Sequence, residues 1–423
     1  MHTKFYKKAF SRTLAVIVIV VIVVAIGGGV YYYLRPKSPT TNYVTFGVVL
    51  PLSGSLSFLG QSRLKGIELW VNYTNSHGGI YVPSIGKHYL VKLIVEDDAS
   101  QPSNAASLTK LLITQDHVNE ILGGELTPDT VAMAPIIEQY NMTLISDSGT
   151  DSLFTSGQYP YLFSMIPPSI EQMQPGGQLI ATLVNKYGAK TMAILQSNAE
   201  AMLTLTAGTL HWVPSSLQIT WYNYTEGTTD FSSILLKLQA QKPDIILISD
   251  EDPPAIVDLF RQMITMNITA RAIISIDGWD SYTFYQALSN SIQNLIAIVD
   301  YATPAMPSSL YPNETFWQNL IVKDLGPQYL WNQFVYEGLL ECFVIGYAIS
   351  QTGQFSGPAF RQELLSMNLA TPAGPWHPAP DGQDIARTPF VVQYQIVNGT
   401  MIPQIIEGPY QTTQLVYPFP GWA

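Results

Sequence analysis

Short polar turns follow several apolar runs of the chain, and their residue types are the ones best suited to chemistry. Hydroxyl groups and free backbone N–H groups near a helix N-terminus suit a carboxylate, and an acidic side chain on a facing element suits an ammonium. A zwitterion needs both. Plain helix capping is the alternative, since Ser, Thr and Asp are preferred N-caps. The turns occupy residues 51–55, 123–127, 146–150, 196–198, 249–252 and 277–279.

The sequence lacks the common motifs of metal-binding, hydrolase and phosphate-binding sites. The six histidines do not fall at metal-ligand spacing, and neither a Cys-x-x-Cys pair nor a carboxylate-rich calcium loop occurs. A Gly-x-Ser-x-Gly elbow and a phosphate-binding loop are also absent from the sequence. The one cysteine, Cys342, lies in an apolar run, where a thiol is more often core than nucleophile. We therefore expect a protein that binds neither a metal nor a cofactor and that has no catalytic activity.

Strand-like and helix-like patterns alternate along the chain, and these elements must position the polar turns. This alternation predicts an α/β fold with parallel sheets in two Rossmann-like lobes. Ligands of open α/β sheets bind at the carboxyl ends of the strands, so two facing lobes would enclose a cleft. The late elements, followed by an extended tail from Met401, are expected to complete both lobes and to form the hinge. The predicted strands are 43–50, 89–96, 118–122, 143–146, 191–196, 244–249, 272–276 and 390–397. The predicted helices are 60–75, 104–115, 130–140, 174–187, 231–240, 254–266 and 332–351.

Composition limits the kinds of protein that the chain can be. Its 423 residues are enough for two domains with apolar cores, and 47% of them are hydrophobic. Only 12% are charged, and the net charge is −11. Nucleic-acid binding needs clustered Lys and Arg, which this chain lacks outside its N-terminus, so the sequence excludes that class of partner.

The N-terminus predicts a membrane anchor. Lys4, Lys7, Lys8 and Arg12 precede an uncharged apolar stretch at 14–34, which is about the length that spans a bilayer. A cleaved signal usually has a shorter apolar region, so an uncleaved single-pass helix is favoured over a signal. The basic residues before the span place everything after it outside the cytoplasm.

The predicted domain limits follow from these patterns. Residues 1–35 are the anchor or signal and 36–42 are a linker. Lobe 1 combines 43–160 with 303–380, and lobe 2 combines 161–302 with 381–423. Six Asn-x-Ser/Thr sequons fit either a glycosylated surface protein or an ordinary Asn- and Thr-rich surface; they begin at Asn72, Asn141, Asn223, Asn267, Asn313 and Asn398.

Several motifs resemble a known family. Residues 47–54 (GVVLPLSG) with 59–61 (LGQ), and residues 75–80 (NSHGGI), are similar to the opening of the leucine/isoleucine/valine-binding type I periplasmic binding proteins. Residues 227–232 (GTTDFS) before Lys242-Pro243-Asp244 resemble a later pair of family motifs. The resemblance runs from about Tyr43 to Trp422 and implies the type I fold, with two lobes joined by a multi-strand hinge.

The resemblance also implies roles for single residues. Thr127 matches the position that binds the ligand carboxylate, and Gly149 and Thr150 match a pair of ligand-contacting positions after the fourth strand. Asp277 matches the acidic residue that meets the ammonium. Phe58 and Leu59 match a loop that touches the ligand side chain. Together with polar neighbours at the strand ends, the predicted ligand-binding residues are Ser53, Phe58, Leu59, Thr127, Ser148, Gly149, Thr150, Asn198, Asp252 and Asp277.

Two departures from the family pattern weaken the case for a branched-chain ligand. No aromatic residue stands near Ala201, and Asp250-Glu251-Asp252-Pro253 replaces an expected aromatic. These carboxylates would suit a cationic or hydroxylated ligand, or they form a solvated acidic turn.

The resemblance implies a solute-binding protein of an ABC importer, which captures an amino acid in a cleft between the lobes and delivers it to permease and ATPase subunits. A branched-chain or other hydrophobic amino acid is among the candidate ligands. An amide, urea or polyol ligand, a ligand-sensing ectodomain and a surface hydrolase are the alternatives.

Overall fold

The computed structural model describes residues 42–148, 150–276, 287–299, 313–387, 389–397, 399–408 and 411–422. The strands are β1 (Asn42–Leu50), β2 (Ile80–Val82), β3 (Lys87–Asp97), β4 (Glu120–Gly123), β5 (Leu144–Ser146), β6 (Leu162–Ser164), β7 (Thr191–Ser197), β8 (Gln218–Tyr224), β9 (Ile245–Ser249), β10 (Ala272–Ile276), β11 (Ile296–Val299), β12 (Leu369–Thr371), β13 (Gly374–Trp376), β14 (Phe390–Val397) and β15 (Thr400–Glu407). The helices are α1 (Ser57–Ser76), α2 (Pro102–Thr114), α3 (Thr127–Tyr140), α4 (Ser152–Thr155), α5 (Ser169–Gln172), α6 (Gln174–Asn185), α7 (Glu200–His211), α8 (Ser232–Gln241), α9 (Pro253–Thr265), α10 (Glu314–Asp324), α11 (Gln333–Thr352) and α12 (Gly357–Ser366).

A first sheet of four strands has the order β2-β3-β1-β4, and β1 runs parallel to β4. The last five residues of β1 are all buried, because this strand is covered on both faces. The separate β5–β6 pair is also parallel and lies just after this sheet in the chain.

A second sheet of seven strands has the order β15-β14-β11-β10-β9-β7-β8. Its pairs from β8 through β7, β9 and β10 to β11 are parallel, whereas β14 and β15 add an antiparallel edge. The central strands are continuous apolar runs such as Ile-Ile-Leu-Ile in β9, which is typical of strands buried on both faces.

Helices α1 and α11 pack with their backbones in close contact. A Cβ atom on Gly66 would overlap the carbonyl of Val335, and one on Gly338 would overlap the carbonyl of Arg63. Only glycine allows this approach at both positions. The face of α1 that meets α11 includes Arg63, Ile67 and Trp70, which are spaced as one side of a helix and are buried.

The structure confirms the predicted α/β alternation and its parallel strands, with differences in detail. Helix α3 begins at Thr127, three residues before the predicted start, and the tail after Met401 forms β15 in a hairpin with β14. The sequence did not predict helices α7 and α10, nor strands β8 and β11. Cys342 is fully buried in α11, as its apolar run predicted.

The predicted membrane anchor at 14–34 lies outside the described residues, and so do Gly149 and Asp277. Within the part of the chain that the structure describes, no helix combines the length and the apolar character that crossing a bilayer requires.

Candidate functional site

Three buried hydroxyl-bearing residues meet at the carboxyl ends of β4 and β5. Thr127 Oγ1 lies 2.9 Å from Ser148 Oγ and 3.4 Å from Thr150 Oγ1. Each side chain is at most 3% exposed. Thr127, Ser148 and Thr150 are called the hydroxyl pocket below.

The hydroxyl pocket lies at the N-terminus of α3, where Thr127 is the first helical residue. The first N–H groups of a helix have no partner within it and favour negative charge. Further hydrogen bonds hold the side chains of the hydroxyl pocket in place. Ser146 Oγ forms a hydrogen bond with Thr130 Oγ1 and accepts a 3.0 Å bond from the Ser148 N–H. The pocket therefore offers hydroxyl and backbone donors to an anion such as a carboxylate.

A buried ionic cluster connects the hydroxyl pocket to α1 and α11. Arg63 Nη1 lies 3.3 Å from Glu125 Oε2, and Arg63 Nη2 lies 3.0 Å from Glu341 Oε2. Glu337 Oε2 is 4.0 Å from Arg63 Nη1, and all four side chains are fully buried. Arg63, Glu125, Glu337 and Glu341 are called the Arg63 cluster below. It joins α1 and α11 to the turn that carries Glu125 and Thr127.

The Arg63 cluster holds more carboxyl groups than one guanidinium can balance. Burial raises the pKa of Glu341 to about 7, although the charge of Arg63 opposes that rise. Burial also raises the pKa of Glu125 and of Glu337, and the nearby Asp147 adds to the rise at Glu337. We therefore expect the cluster to retain protons at neutral pH, which reduces its repulsion of a carboxylate in the hydroxyl pocket.

A groove of about 240 Å³ separates the segment after β1 from the start of α9. Ser55, Leu56, Phe58 and Leu59 line one side, and Pro253, Pro254, Val257, Asp258, Arg261 and Ala287 line the other. Both segments follow the carboxyl ends of their strands, so the strand ends of the two sheets face each other across this groove. Phe58 is partly exposed there and packs edge-on against Phe334, at 6.3 Å between ring centroids.

Polar side chains also collect where β7, β8 and β9 end. The Tyr224 hydroxyl donates a 2.9 Å hydrogen bond to Asp250 Oδ2, and the Asp252 N–H donates a 3.1 Å bond to Asp250 Oδ1. Burial raises the pKa of Asp250 to about 6 and also raises the pKa of Asp252 and Glu226. Ser197, Tyr224, Glu226, Asp250 and Asp252 are called the acid pocket below.

A larger groove of about 830 Å³ lies between α1 and α10, lined by residues such as Asn72, Tyr73 and Lys323. None of the residues predicted from the sequence to bind a ligand lines it. It also lies away from the strand ends, where ligands of α/β sheets bind.

A model of the periplasmic binding protein family matches residues 43–399. This range takes in nearly the whole described body and every strand from β2 to β14. The chain belongs to the periplasmic binding protein family.

Relatives and solved structures agree with this assignment. An amino acid binding protein of Pseudomonas aeruginosa is 24% identical over 238 residues, which are 56% of this chain and 60% of that protein. A Leu/Ile/Val-binding protein homolog of Brucella abortus is 23% identical over 223 residues, which are 48% of this chain and 51% of that protein. The chain thus spans about half to 60% of the length of these curated relatives.

A crystal structure of a branched-chain amino acid transporter substrate binding protein from Streptococcus pneumoniae, in complex with isoleucine, has a similar fold. Its TM-score is 0.71 at 19% identity, and the match covers 86% of this chain and all of that one. The similarity assigns the type I α/β fold to this periplasmic binding protein.

The predicted ligand-binding residues of this periplasmic binding protein fall into separate groups. Thr127, Ser148 and Thr150 come together in the hydroxyl pocket, while Phe58 and Leu59 line the groove. Asp252 belongs to the acid pocket, and Asn198 lies beside it, since its Oδ1 accepts a 2.8 Å bond from the Glu226 N–H. Ser53 is exposed, and its N–H donates to Asp97 Oδ1 at 3.0 Å. Gly149 and Asp277 remain predictions.

Sequence reasoning missed Arg63 and its partners on α11, although Glu125 lies within one of the polar turns. A charged residue on the buried face of α1 was the available signal, since Arg63 precedes Ile67 by one helical turn. It also missed Tyr224, because β8 was not predicted. Among the described residues, no group of three or more His, Cys, Asp or Glu side chains is placed to hold a metal ion.

Proposed function

We propose that this periplasmic binding protein captures an amino acid in the cleft between its two sheets and delivers it to an ABC importer. The observation that carries the proposal is the hydroxyl pocket at the N-terminus of α3. Its hydroxyls, at the positive end of the helix dipole, are donors that suit an α-carboxylate. The names of the two curated relatives, an amino acid binding protein and a Leu/Ile/Val-binding protein homolog, support this substrate class.

The proposed mechanism is capture by closure, with no covalent step. The carboxylate would bind the hydroxyl pocket on the first-sheet side, and residues at the strand ends of the second sheet would then close on the other end of the ligand. Asp277 is proposed as the ammonium partner. Contacts from both sides favour the closed form only when a ligand is present, because the ligand binds that form more tightly.

The domain limits and the membrane attachment are further parts of the proposal. We propose lobe 1 at 43–160 plus 303–380 and lobe 2 at 161–302 plus 381–423. Residues 14–34 would anchor the protein in the membrane, with its body on the extracytoplasmic side that membership of the family implies. A permease with ATPase subunits would be the partner. The anchor would keep the loaded protein close to that partner.

The experiment screens the full-length protein in mild detergent against single L-amino acids by thermal shift, and then measures the affinity of each hit. A ligand that binds only the folded state raises the melting temperature with concentration. Thr127→Val removes one hydroxyl and keeps the shape of the side chain, and we expect it to weaken binding about tenfold. The matched control is Thr114→Val, which removes an exposed hydroxyl at the end of α2.

Two results would contradict the proposal. One is a folded protein that binds no amino acid. The other is an amino acid whose affinity is the same in Thr127→Val as in wild type, because the carboxylate would then lie elsewhere.

A further inference from the structure

The acid pocket carries negative charge that the described residues do not balance. Of the ion pairs that the described residues form, none includes Glu226, Asp250 or Asp252. Asp250 is fully buried, and its two oxygens accept hydrogen bonds from Tyr224 and from the Asp252 N–H. A buried carboxylate is costly unless a cation or sufficient hydrogen bonds compensate it. The charge therefore favours entry of a positive group.

Ser197 gives an independent indication that a ligand group enters the acid pocket. Its side chain is 1% exposed, and its Oγ has no hydrogen-bond partner among the described residues. Ser197 is opposite Tyr224 in the parallel β7–β8 ladder, so the two side chains share one face of the sheet. The preceding Gln196 points to the other face, where its Nε2 donates to Met202 O and Thr206 Oγ1.

The Asp252 Oδ1 atom is also buried without a partner among the described residues. Buried polar atoms in folded proteins nearly always have a hydrogen-bond partner. Two such atoms beside one buried carboxylate indicate that a group with several N–H donors belongs there. Because the described residues hold no cluster placed for a metal ion, an organic cation suits the pocket better.

We infer that the acid pocket binds the positively charged end of the ligand side chain, and that the substrate is a basic amino acid such as arginine or lysine. This inference rests on the proposed function, since it assigns the substrate class of the same cleft. The basic side chain would donate to Asp252 and Ser197 and pair with the carboxylates. A guanidinium could also stack on the half-buried ring of Tyr224.

The order of the strands places the acid pocket within reach of a long ligand side chain whose ammonium is held at the end of β10. Strand β9 lies next to β10, with β7 and then β8 beyond it. Adjacent strands are about 4.8 Å apart, so the acid pocket is offset from the end of β10 by roughly 5 to 14 Å. An α-ammonium held at the end of β10, where Asp277 is predicted to bind it, would leave a long side chain to reach Asp250 and Asp252. A leucine side chain is too short and has no donor.

The test titrates the full-length protein in mild detergent with L-arginine, L-lysine and L-leucine by isothermal titration calorimetry at neutral pH. We expect arginine or lysine to bind more tightly than leucine. Asp252→Asn should weaken binding of the basic amino acid by about 30-fold or more, the usual cost of removing one partner of a desolvated charge pair. The control is Asp116→Asn, the same change at an exposed position in the segment after α2, and it should leave the affinity unchanged.

A second variant protects the test against misfolding. Glu226 is exposed, so Glu226→Gln should fold normally, and we expect it to weaken binding of the basic amino acid several-fold. Tighter binding of leucine than of arginine or lysine, or affinities for the basic amino acids that both variants leave unchanged, would overturn the inference while the proposed function stands. Binding of no amino acid would overturn both.

Discussion

Replacing Glu341 with glutamine should change how the stability of the protein depends on pH. Burial raises the pKa of Glu341 to about 7, against 4.5 for a glutamate in a free chain. The folded state therefore holds this proton more tightly than the unfolded state does. By linkage, the contribution of Glu341 to stability is fully present below about pH 4.5 and is lost as the pH rises to about 7. At about 1.4 kcal/mol for each pH unit, the loss is about 3 kcal/mol.

Glu341→Gln removes that loss because the amide stays neutral at every pH. Its single oxygen can accept the bond from the Gly123 N–H, which lies 3.2 Å from Glu341 Oε1 in the wild type. The NH2 group of the amide would then face Arg63 Nη2, which donates to Glu341 Oε2 at 3.0 Å in the wild type. The lost bond to Arg63 lowers the stability of the variant at every pH, whereas the linkage effect changes with pH. We therefore expect the stability of the variant relative to the wild type to improve by up to about 3 kcal/mol between pH 5 and a pH above 7. Asp98, Asp129 and Asp250 also have raised pKa values, so only the difference between the two proteins isolates Glu341.

The assay is urea unfolding of the full-length protein, followed by tryptophan fluorescence at several pH values. Glu68→Gln is the matched control, since Glu68 is exposed on the same helix as Arg63 and should leave the pH profile unchanged. If Glu341→Gln gave the same pH dependence as the wild type, the assignment of a bound proton to Glu341 would be refuted.

Three further perturbations test other parts of the structure. Arg63→Met leaves three glutamates buried without the guanidinium that pairs with them. The free energy of unfolding, measured by urea titration, should fall by about 3–5 kcal/mol. A loss below about 1 kcal/mol would mean that water solvates the cluster. Gly338→Ala should cost about 1–3 kcal/mol by forcing α11 away from the α1 backbone, and an unchanged melting temperature would contradict that contact. Lowering the pH from 7 to 5 should weaken the affinity for arginine measured by calorimetry. Burial raises the pKa of Asp250 to about 6 and also raises the pKa of Glu226 and Asp252, so protonation removes the negative charge that attracts the ligand. Binding that is equally tight at both pH values would count against the acid pocket.

Local patterns in the sequence were enough to predict most of the fold. The bounds of β10 and β14 match their predicted ranges, because both are rich in β-branched and aromatic residues and are followed by polar residues in the sequence. Helix α3 began earlier than predicted because periodicity starts at Thr130, while the first turn at Thr127-Pro128-Asp129 carries no apolar pattern. β15 contains Pro403, which favoured an extended tail over a strand, yet this proline sits on the sheet edge where its missing N–H is tolerated.

Only part of the candidate site could be predicted from the sequence. The hydroxyl pocket was predicted because Thr127, Ser148 and Thr150 each follow a recognisable strand and lie within two turns. The Arg63 cluster was not, because its ion pairs join residues that are 62 and 278 positions apart in the chain. Only the packing of α1 against α11 brings them together. The acid pocket was seen as an acidic turn, but its tyrosine and serine depend on the register of β7 with β8.

A crystal structure with a bound amino acid, chosen as the strongest hit of the thermal-shift screen, tests the central claim most directly. The account predicts an α-carboxylate within hydrogen-bond distance of Thr127 and Ser148, with the rest of the ligand directed toward the strand ends of the second sheet. A carboxylate bound anywhere else, or a ligand in the groove between α1 and α10, would contradict it.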